Sequence, residues 1–265
     1  MTFAQDIALA QRLADAAGAA IRPYWRTAIG TDGFALEDKA DASPVTAADR
    51  AAEAVMRHML DAERPDDGII GEEYGNDRPT AARQWVLDPI DGTTSFVAGR
   101  PIFGTLIALM QDGWPVLGII DQPIIGERWI GATGQVTLLN GRPARTRICS
   151  SLDQAVLGTT SPHLFSAHEG EHFLNLAGKV AQRRIIYGGD CYNYGLLAAG
   201  HIDLVVESGL KLHDLAALVP VVEGAGGMMT DWNGDPLNAD SAGDVIALGD
   251  AARLEDVLEA LACTH

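Results

Sequence analysis

Cysteine and positive charge are both scarce in this chain. Three cysteines (Cys149, Cys191 and Cys263) are spread over 265 residues. They are odd in number and lack the paired spacing of a zinc site, so neither a disulfide framework nor a zinc ribbon is expected. Reduced thiols point to a cytoplasmic protein. Lys and Arg number 19 against 36 Asp and Glu, a formal net charge of −17, which disfavours nucleic-acid binding through a basic face. No run approaches the roughly 20 apolar residues of a membrane span. Asp6, Arg12 and Asp15 lie on a helical pattern near the start, which is not the pattern of a secretory signal. The seven histidines show no ligand spacing, and His163, His168 and His172 read as surface residues. An EF-hand D-x-D-x-D-G loop is missing as well, which sets a calcium module aside. What remains is 47% hydrophobic and long enough for one large domain or two smaller ones on a shared core.

Periodicity supplies the elements. Thr2 with Gln5 forms a capping box, and Phe3, Ile7, Ala10, Leu13, Ala14, Ala17 and Ile21 follow at helical spacing up to Trp25. Residues Gly30 to Ser43 read as a strand and a loop that could carry Lys39 over a site. Thr46 caps a second helix with Val55, Met56 and Met59 on its stripe. FGTLIALM and PVLGII pair across Asp112-Gly113, and Asn140-Gly141 marks another hairpin. The first half is therefore two helices on a largely antiparallel sheet. The rhythm changes near Ser150. Strands at 155–158, 184–187, 202–207 and near Met228 alternate with helices at 171–179, after Gly189, at 214–223 and at 251–261, the pattern of an α/β layer architecture. The expected division is 1–150, an α+β half holding metal, and 151–265, an α/β half recognising substrate.

Residues 85–96, WVLDPIDGTTSF, carry the chemistry. An apolar strand ends in Asp88, Pro89 breaks the sheet, and Asp91 follows; Gly92, Thr93 and Thr94 then suit the opening of a helix. Carboxylates at a strand end suit Mg²⁺, held by a few acids plus substrate phosphate. Exposed N–H groups at a new helix suit an anion. Taken alone, D-x-x-D-G is more often a solvated turn. Asp49, Glu72, Asp88, Asp91 and Asp214, however, each lie at the edge of an expected element. Gathered in one cleft these acids would repel and raise each other's pKa values. Two cations about 4 Å apart remove that objection and clamp both oxygens of an in-line displacement at phosphorus. A metal-dependent phosphatase is the expectation, with Thr93 and Asp49 orienting the attacking water.

The order of motifs resembles the inositol monophosphatase superfamily. Val45-Thr46-Ala47-Ala48-Asp49 resembles its V-T-x-x-D, Ile70-Gly71-Glu72-Glu73 its G-E-E, and Asp88-Pro89-Ile90-Asp91-Gly92-Thr93-Thr94 its D-P-I-D-G-T. Asp214-Leu215-Ala216-Ala217 with Glu223-Gly224-Ala225-Gly226-Gly227 resembles its late W-D-x-A-A…E-A-G-G, with His213 standing where Trp is usual. The resemblance implies a layered αβαβα sandwich of α/β (α+β) class, a homodimer, and Mg²⁺-dependent hydrolysis of a small phosphate ester. It implies two or three ions per site, with Mn²⁺ as a substitute and Li⁺ as an inhibitor. Glu72, Asp88 and the Ile90 carbonyl would hold one ion, and Asp88, Asp91 and Asp214 another. Asp49, Thr93 and Glu72 would be catalytic, and Gly92, Thr93 and Thr94 would receive phosphate.

Substrate choice rests on the second half. Asp190 stands where inositol phosphatases show a small G-T-A-A-like stretch, and Glu207 matches a late Glu that meets the rest of the ester. Two acids on the leaving-group side suit a cationic tail, because ammonium–carboxylate hydrogen bonds are roughly twice as strong as neutral ones. The run from Gly188 to Gly234 is similar to the histidinol-phosphate phosphatase branch, and that ester is the expected substrate. An inositol-type or broad phosphatase is the alternative, and a non-catalytic scaffold the remote one. A lone Asp before a helix more often caps it. Glu73 reads as a solvated neighbour or a group supporting the ligands rather than a ligand itself, and Tyr192, Asn193 and Tyr194 as core or pocket residues. Cys191 reads as a packing residue whose thiol pKa its acidic neighbour raises.

Overall fold

The computed structural model describes residues 3–26, 36–38 and 44–262. Thr2, Lys39 and Cys263 lie outside the described residues, as does the Thr46 side chain, and with them the roles expected of these groups.

Helix α1 (Phe3–Ile21) buries Leu9, Ala10, Leu13, Ala14, Ala17 and Ile21 along one stripe, and a 3₁₀ turn at Arg22–Tyr24 ends it. Helix α2 (Ala47–Glu63) buries Ala48, Ala52, Met56 and Leu60. Its stripe is rotated from the one expected, so Val55 and Met59 are only half-buried. The alanines facing α1 let the helices approach, and burying each large apolar side chain contributes about 1.5–3 kcal/mol.

Strands β1 (Leu36–Asp38) and β2 (Pro44–Thr46) form a small antiparallel pair. The larger sheet comprises β3 (Gly68–Gly71), β4 (Gly75–Asp77), β5 (Arg83–Asp91), β6 (Gly104–Gln111), β7 (Trp114–Gln122), β8 (Glu127–Ala132), β9 (Leu138–Leu139) and β10 (Arg142–Pro143). Its order is β10-β9-β8-β7-β6-β5-β3-β4, and β3 with β5 is its parallel pair. Both Asp112-Gly113 and Asn140-Gly141 turn with positive φ at each residue, as the two-residue hairpins of the sequence require.

Pro89 does not break this sheet. Strand β5 runs on to Asp91, and its register against β6 shifts between Asp88 and Asp91. Proline lacks the N–H a regular ladder needs, so the chain bulges there. The Pro89 carbonyl instead accepts from Thr105 Oγ1 at 2.7 Å.

The second sheet has the order β12-β11-β13-β15-β14, from β11 (Leu157–Thr159), β12 (Ile185–Tyr187), β13 (Leu204–Glu207), β14 (Met228–Thr230) and β15 (Val245–Leu248). Strand β15 was not expected from the sequence, where its four apolar residues show no period. The remaining helices are α3 (Thr93–Val97), α4 (Ala167–Ala177), α5 (Asp190–Ala198), α6 (Leu212–Leu215), α7 (Leu218–Gly224) and α8 (Leu254–Leu261). The single helix expected at 214–223 is split into α6 and α7, and Pro220 sits in the first turn of α7, where a missing N–H costs little.

Packing orders these elements as α1 and α2, the large sheet, α5 and α7, the second sheet, then α4 and α8. This is the layered αβαβα sandwich that the sequence resemblance implied. The middle layer sits unusually close to the large sheet. A Cβ at Gly118 would lie 2.0 Å from the Ala217 carbonyl, and one at Gly131 2.1 Å from that of Pro220. These glycines seat Ala217 and the first turn of α7 on β7 and β8.

Gly118→Ala should destabilise the protein by about 2–3 kcal/mol through overpacking, lowering Tm by roughly 5–10 °C. A thermal melt with unchanged Tm would show that this contact yields without cost.

Candidate metal centre and substrate cavity

Three elements deliver carboxylates to one point. The last residues of β5 bring Asp88 and Asp91, the chain leaving β3 brings Glu72, and the first turn of α2 brings Asp49. From the other half, α6 brings Asp214. One carboxylate oxygen each from Asp49, Glu72 and Asp88 lie within 4.8 Å of one another. The same holds for Asp88, Asp91 and Asp214. Asp88 belongs to both groups and is 2% exposed.

The electrostatics follow from that crowding. Burial, then repulsion from Glu72, Asp91, Asp214 and Asp49, pushes the Asp88 carboxyl well above the usual carboxylate range. Burial with Asp190 and Asp214 nearby does the same to Asp91. Burial raises Asp214 too, opposed first by the His213 imidazole, whose Nε2 stands 3.5 Å from Asp214 Oδ1. Acids this close are stable as anions only beside compensating positive charge. The donor set is oxygen throughout and divides into two groups sharing Asp88, which fits a pair of hard divalent cations and does not fit a soft metal.

Other groups hold these ligands in place, and several were not foreseen. Glu53, fully buried one turn along α2 from Asp49, accepts the Glu73 N–H at 2.7 Å and the Tyr74 N–H at 3.2 Å. Arg57 Nε compensates its charge at 2.7 Å. A buried acid on an apolar helix stripe was the sequence signal for this role. Glu73 is not solvated: its side chain is 2% exposed, with Arg50 Nε at 3.7 Å. The Ile90 N–H donates to Asp88 Oδ1 at 3.1 Å. Thr93 Oγ1 donates to the Ile90 carbonyl at 3.0 Å, so the two groups expected to flank metal and water are already joined. Lys211 N–H holds Asp214 Oδ2 at 2.7 Å.

The two halves meet at α5. Asp91 Oδ2 accepts the Cys191 N–H at 2.6 Å, so the carboxylate satisfying this donor at the start of α5 comes from β5. Asp190 is turned away from the cap position, at φ 44°. Its Oδ2 accepts from Ser95 Oγ at 3.1 Å. Burial raises its pKa, while Ser95 and the charge of Arg100 oppose the rise. Gly92, at φ 85°, is required here, since a Cβ would lie 2.7 Å from Asp190 Oδ2. Burial, followed by Asp91, pushes the Cys191 thiol far up, leaving it a packing residue.

A cavity of about 550 Å³ opens over these acids. Its walls include Gly92, Thr93, Thr94, Asp190, Tyr194 and Glu207. Glu207 Oε1 accepts from the Thr160 N–H at 2.8 Å and its hydroxyl at 2.9 Å. Burial nevertheless raises Glu207 to about 7, with Asp190 adding to the rise. Of the aromatics read from the sequence, Tyr194 alone lines this cavity. Tyr192 packs edge-on against Trp129 and donates to Glu127, and Asn193 donates to the Gly188 carbonyl.

Residues 4–263 match the model of the inositol monophosphatase family. The chain is 49% identical to the bifunctional phosphatase IMPL2 of Arabidopsis thaliana, across 96% of this chain and 74% of that protein. It is 38% identical to a histidinol-phosphatase of Mycobacterium tuberculosis, across 86% and 88%. A solved inositol monophosphatase from Zymomonas mobilis superposes with a TM-score of 0.89 at 54% identity, covering 98% of this chain and 99% of that one.

Mg²⁺ should raise the Tm of the wild-type protein, because an ion bound to the folded state alone stabilises it. Asp88→Asn should abolish that rise. In chelator the same variant should melt roughly 3–6 °C higher than wild type, having lost one buried, repelled carboxyl. A variant that still gains Tm from Mg²⁺ would remove Asp88 from the metal centre.

Proposed function

Because this chain belongs to the inositol monophosphatase family of metal-dependent phosphomonoesterases, we propose that its substrate is L-histidinol phosphate, hydrolysed to L-histidinol and phosphate. The observation that carries this reading is the acid pair Asp190 and Glu207 on the cavity wall beyond the metal ligands. Polyol hydroxyls can donate to two carboxylates but leave their negative charge uncompensated, whereas an ammonium group donates to both and neutralises charge as well. The likeness to a protein named histidinol-phosphatase supports it. A polyol phosphate is the second reading, favoured by the description of the Zymomonas mobilis relative.

Glu72 and Asp88, with the Ile90 carbonyl, would hold one Mg²⁺, and Asp88, Asp91 and Asp214 would hold the other. When bound, Mg²⁺ supplies positive charge to the transferring phosphoryl group and makes a nearby water acidic. Gly92, Thr93 and Thr94 present their N–H groups to the phosphate oxygens. Thr93 Oγ1, with its proton engaged on the Ile90 carbonyl, accepts a hydrogen bond from the attacking water. Asp49, with Glu72 alongside, takes the water's proton. The substrate's ammonium lies between Asp190 and Glu207, which fixes the ester oxygen opposite that water. Residues 1–150 thus do the chemistry and 151–265 choose the ester, Asp214 being lent to the first task. The working form is a cytoplasmic homodimer.

With Mg²⁺, kcat/KM for L-histidinol phosphate should exceed that for myo-inositol 1-phosphate by at least about 100-fold, a difference of roughly 2.7 kcal/mol. Asp190→Asn should erase most of that margin and spare the inositol ester; equal losses on both would make Asp190 structural. pH supplies an independent check. Glu207 titrates near 7, so falling pH protonates it and removes its charge. KM for histidinol phosphate should therefore rise below pH 7 more steeply than KM for the inositol ester, and Glu207→Gln should flatten the difference. Parallel profiles in the wild type would count against an ammonium at Glu207.

A further inference from the structure

Helix α4 carries His168 and His172 one turn apart. That spacing puts both side chains on one face. Their rings stand edge to face with centroids 4.4 Å apart, and their Nε2 atoms are 3.1 Å apart. On the sequence these histidines fall at roughly helical intervals and read as surface residues; in the fold their rings meet.

The neighbouring helix fixes how one ring faces the other. His172 Nδ1 is hydrogen-bonded to the Leu261 carbonyl at the end of α8. A carbonyl only accepts, so Nδ1 carries the proton of the neutral ring, and the Nε2 lone pair is aimed at His168. Metal-binding imidazoles are typically held this way, with the outer N–H on a backbone carbonyl or carboxylate. Trp232 packs beside the same ring at 6.0 Å.

The separation also fits. Imidazole nitrogens bind Zn²⁺ at about 2.0–2.1 Å, so two of them lie roughly 2.9 Å apart at a right angle and roughly 3.3 Å apart at the tetrahedral angle. The observed 3.1 Å falls between. Imidazole nitrogen suits Zn²⁺, Cu²⁺ and Ni²⁺, while Mg²⁺ prefers oxygen. The centre at the end of β5 is all oxygen. The two places therefore sort ions by chemistry.

We propose that His168 and His172 form a binding site for a transition-metal dication of the Zn²⁺ and Cu²⁺ class, on the outer face of the second sheet's helix layer. The site stands on the helix that braces the substrate cavity. Glu169, between the two histidines, accepts from Ser208 Oγ at 2.5 Å, and Ser208 lines that cavity. Binding moves one proton within a neutral ring. His168 passes its Nε2 proton, which otherwise makes the ring-to-ring hydrogen bond, through solvent to its own Nδ1.

The test uses the full-length protein in excess Mg²⁺, titrated with Zn²⁺ by calorimetry and loaded with one equivalent of Cu²⁺ for electron paramagnetic resonance. Zn²⁺ affinity should fall at least tenfold in both His168→Ala and His172→Gln, with Mg²⁺-dependent hydrolysis unchanged. The wild-type Cu²⁺ spectrum should show nitrogen splitting that His168→Ala loses. His168 is exposed, so its replacement leaves the packing intact. Equal Zn²⁺ affinity in wild type and His168→Ala, or a Cu²⁺ spectrum of oxygen ligation only, would overturn the site and leave the pair as a hydrogen bond.

Discussion

Buried negative charge at the end of β5 is the constraint on which the rest of the structure depends. Asp88 is 2% exposed and has Asp49, Glu72, Asp91 and Asp214 around it. A core arranged for stability alone would not assemble these groups, because each additional anion raises the cost of ionising its neighbours. The arrangement is intelligible as a receptor for divalent cations, which reverse the local field. It also reconciles a net charge of −17 with an anionic ester as substrate, since the ester meets the ions before it meets the acids.

Holding repelling carboxylates within ångströms of one another requires stiff supports. The bulge at Pro89 is anchored by Thr105. Glu53 ties α2 to the chain leaving β3 through the Glu73 and Tyr74 N–H groups. Glycines at 118 and 131 let the start of α7 sit against β7 and β8. These supports lie in well-packed layers, where side chains are locked by their neighbours.

The two halves of the chain are joined through the site itself. Asp91 satisfies the Cys191 N–H of α5, and Asp190 accepts from Ser95 beside Gly92. Under the proposed function, metal at Asp91 and substrate at Asp190 would act on the same helix terminus, which would let the two halves share a geometry.

Much of this was legible in the sequence. Helical periodicity marked α1 and α2, Asp-Gly and Asn-Gly marked the hairpins, and an apolar run ending in D-P-I-D-G-T-T marked the centre, because such signals are local. Strand β15 was not legible, since four apolar residues have no decisive period, whereas Pro220, interior to the helix expected at 214–223, was an overlooked sign of the break between α6 and α7. Nor could the sequence tell that Asp91, rather than Asp190, satisfies the Cys191 N–H of α5, or that Glu73 is buried against Arg50. It placed His168 and His172 at helical spacing, but the orientation of the His172 ring is set by α8 and Trp232. What the sequence by itself determined is which groups carry charge and which local elements present them. Which of those groups face one another was decided by tertiary structure alone, because electrostatic and hydrogen-bonding partners are fixed by distance in space.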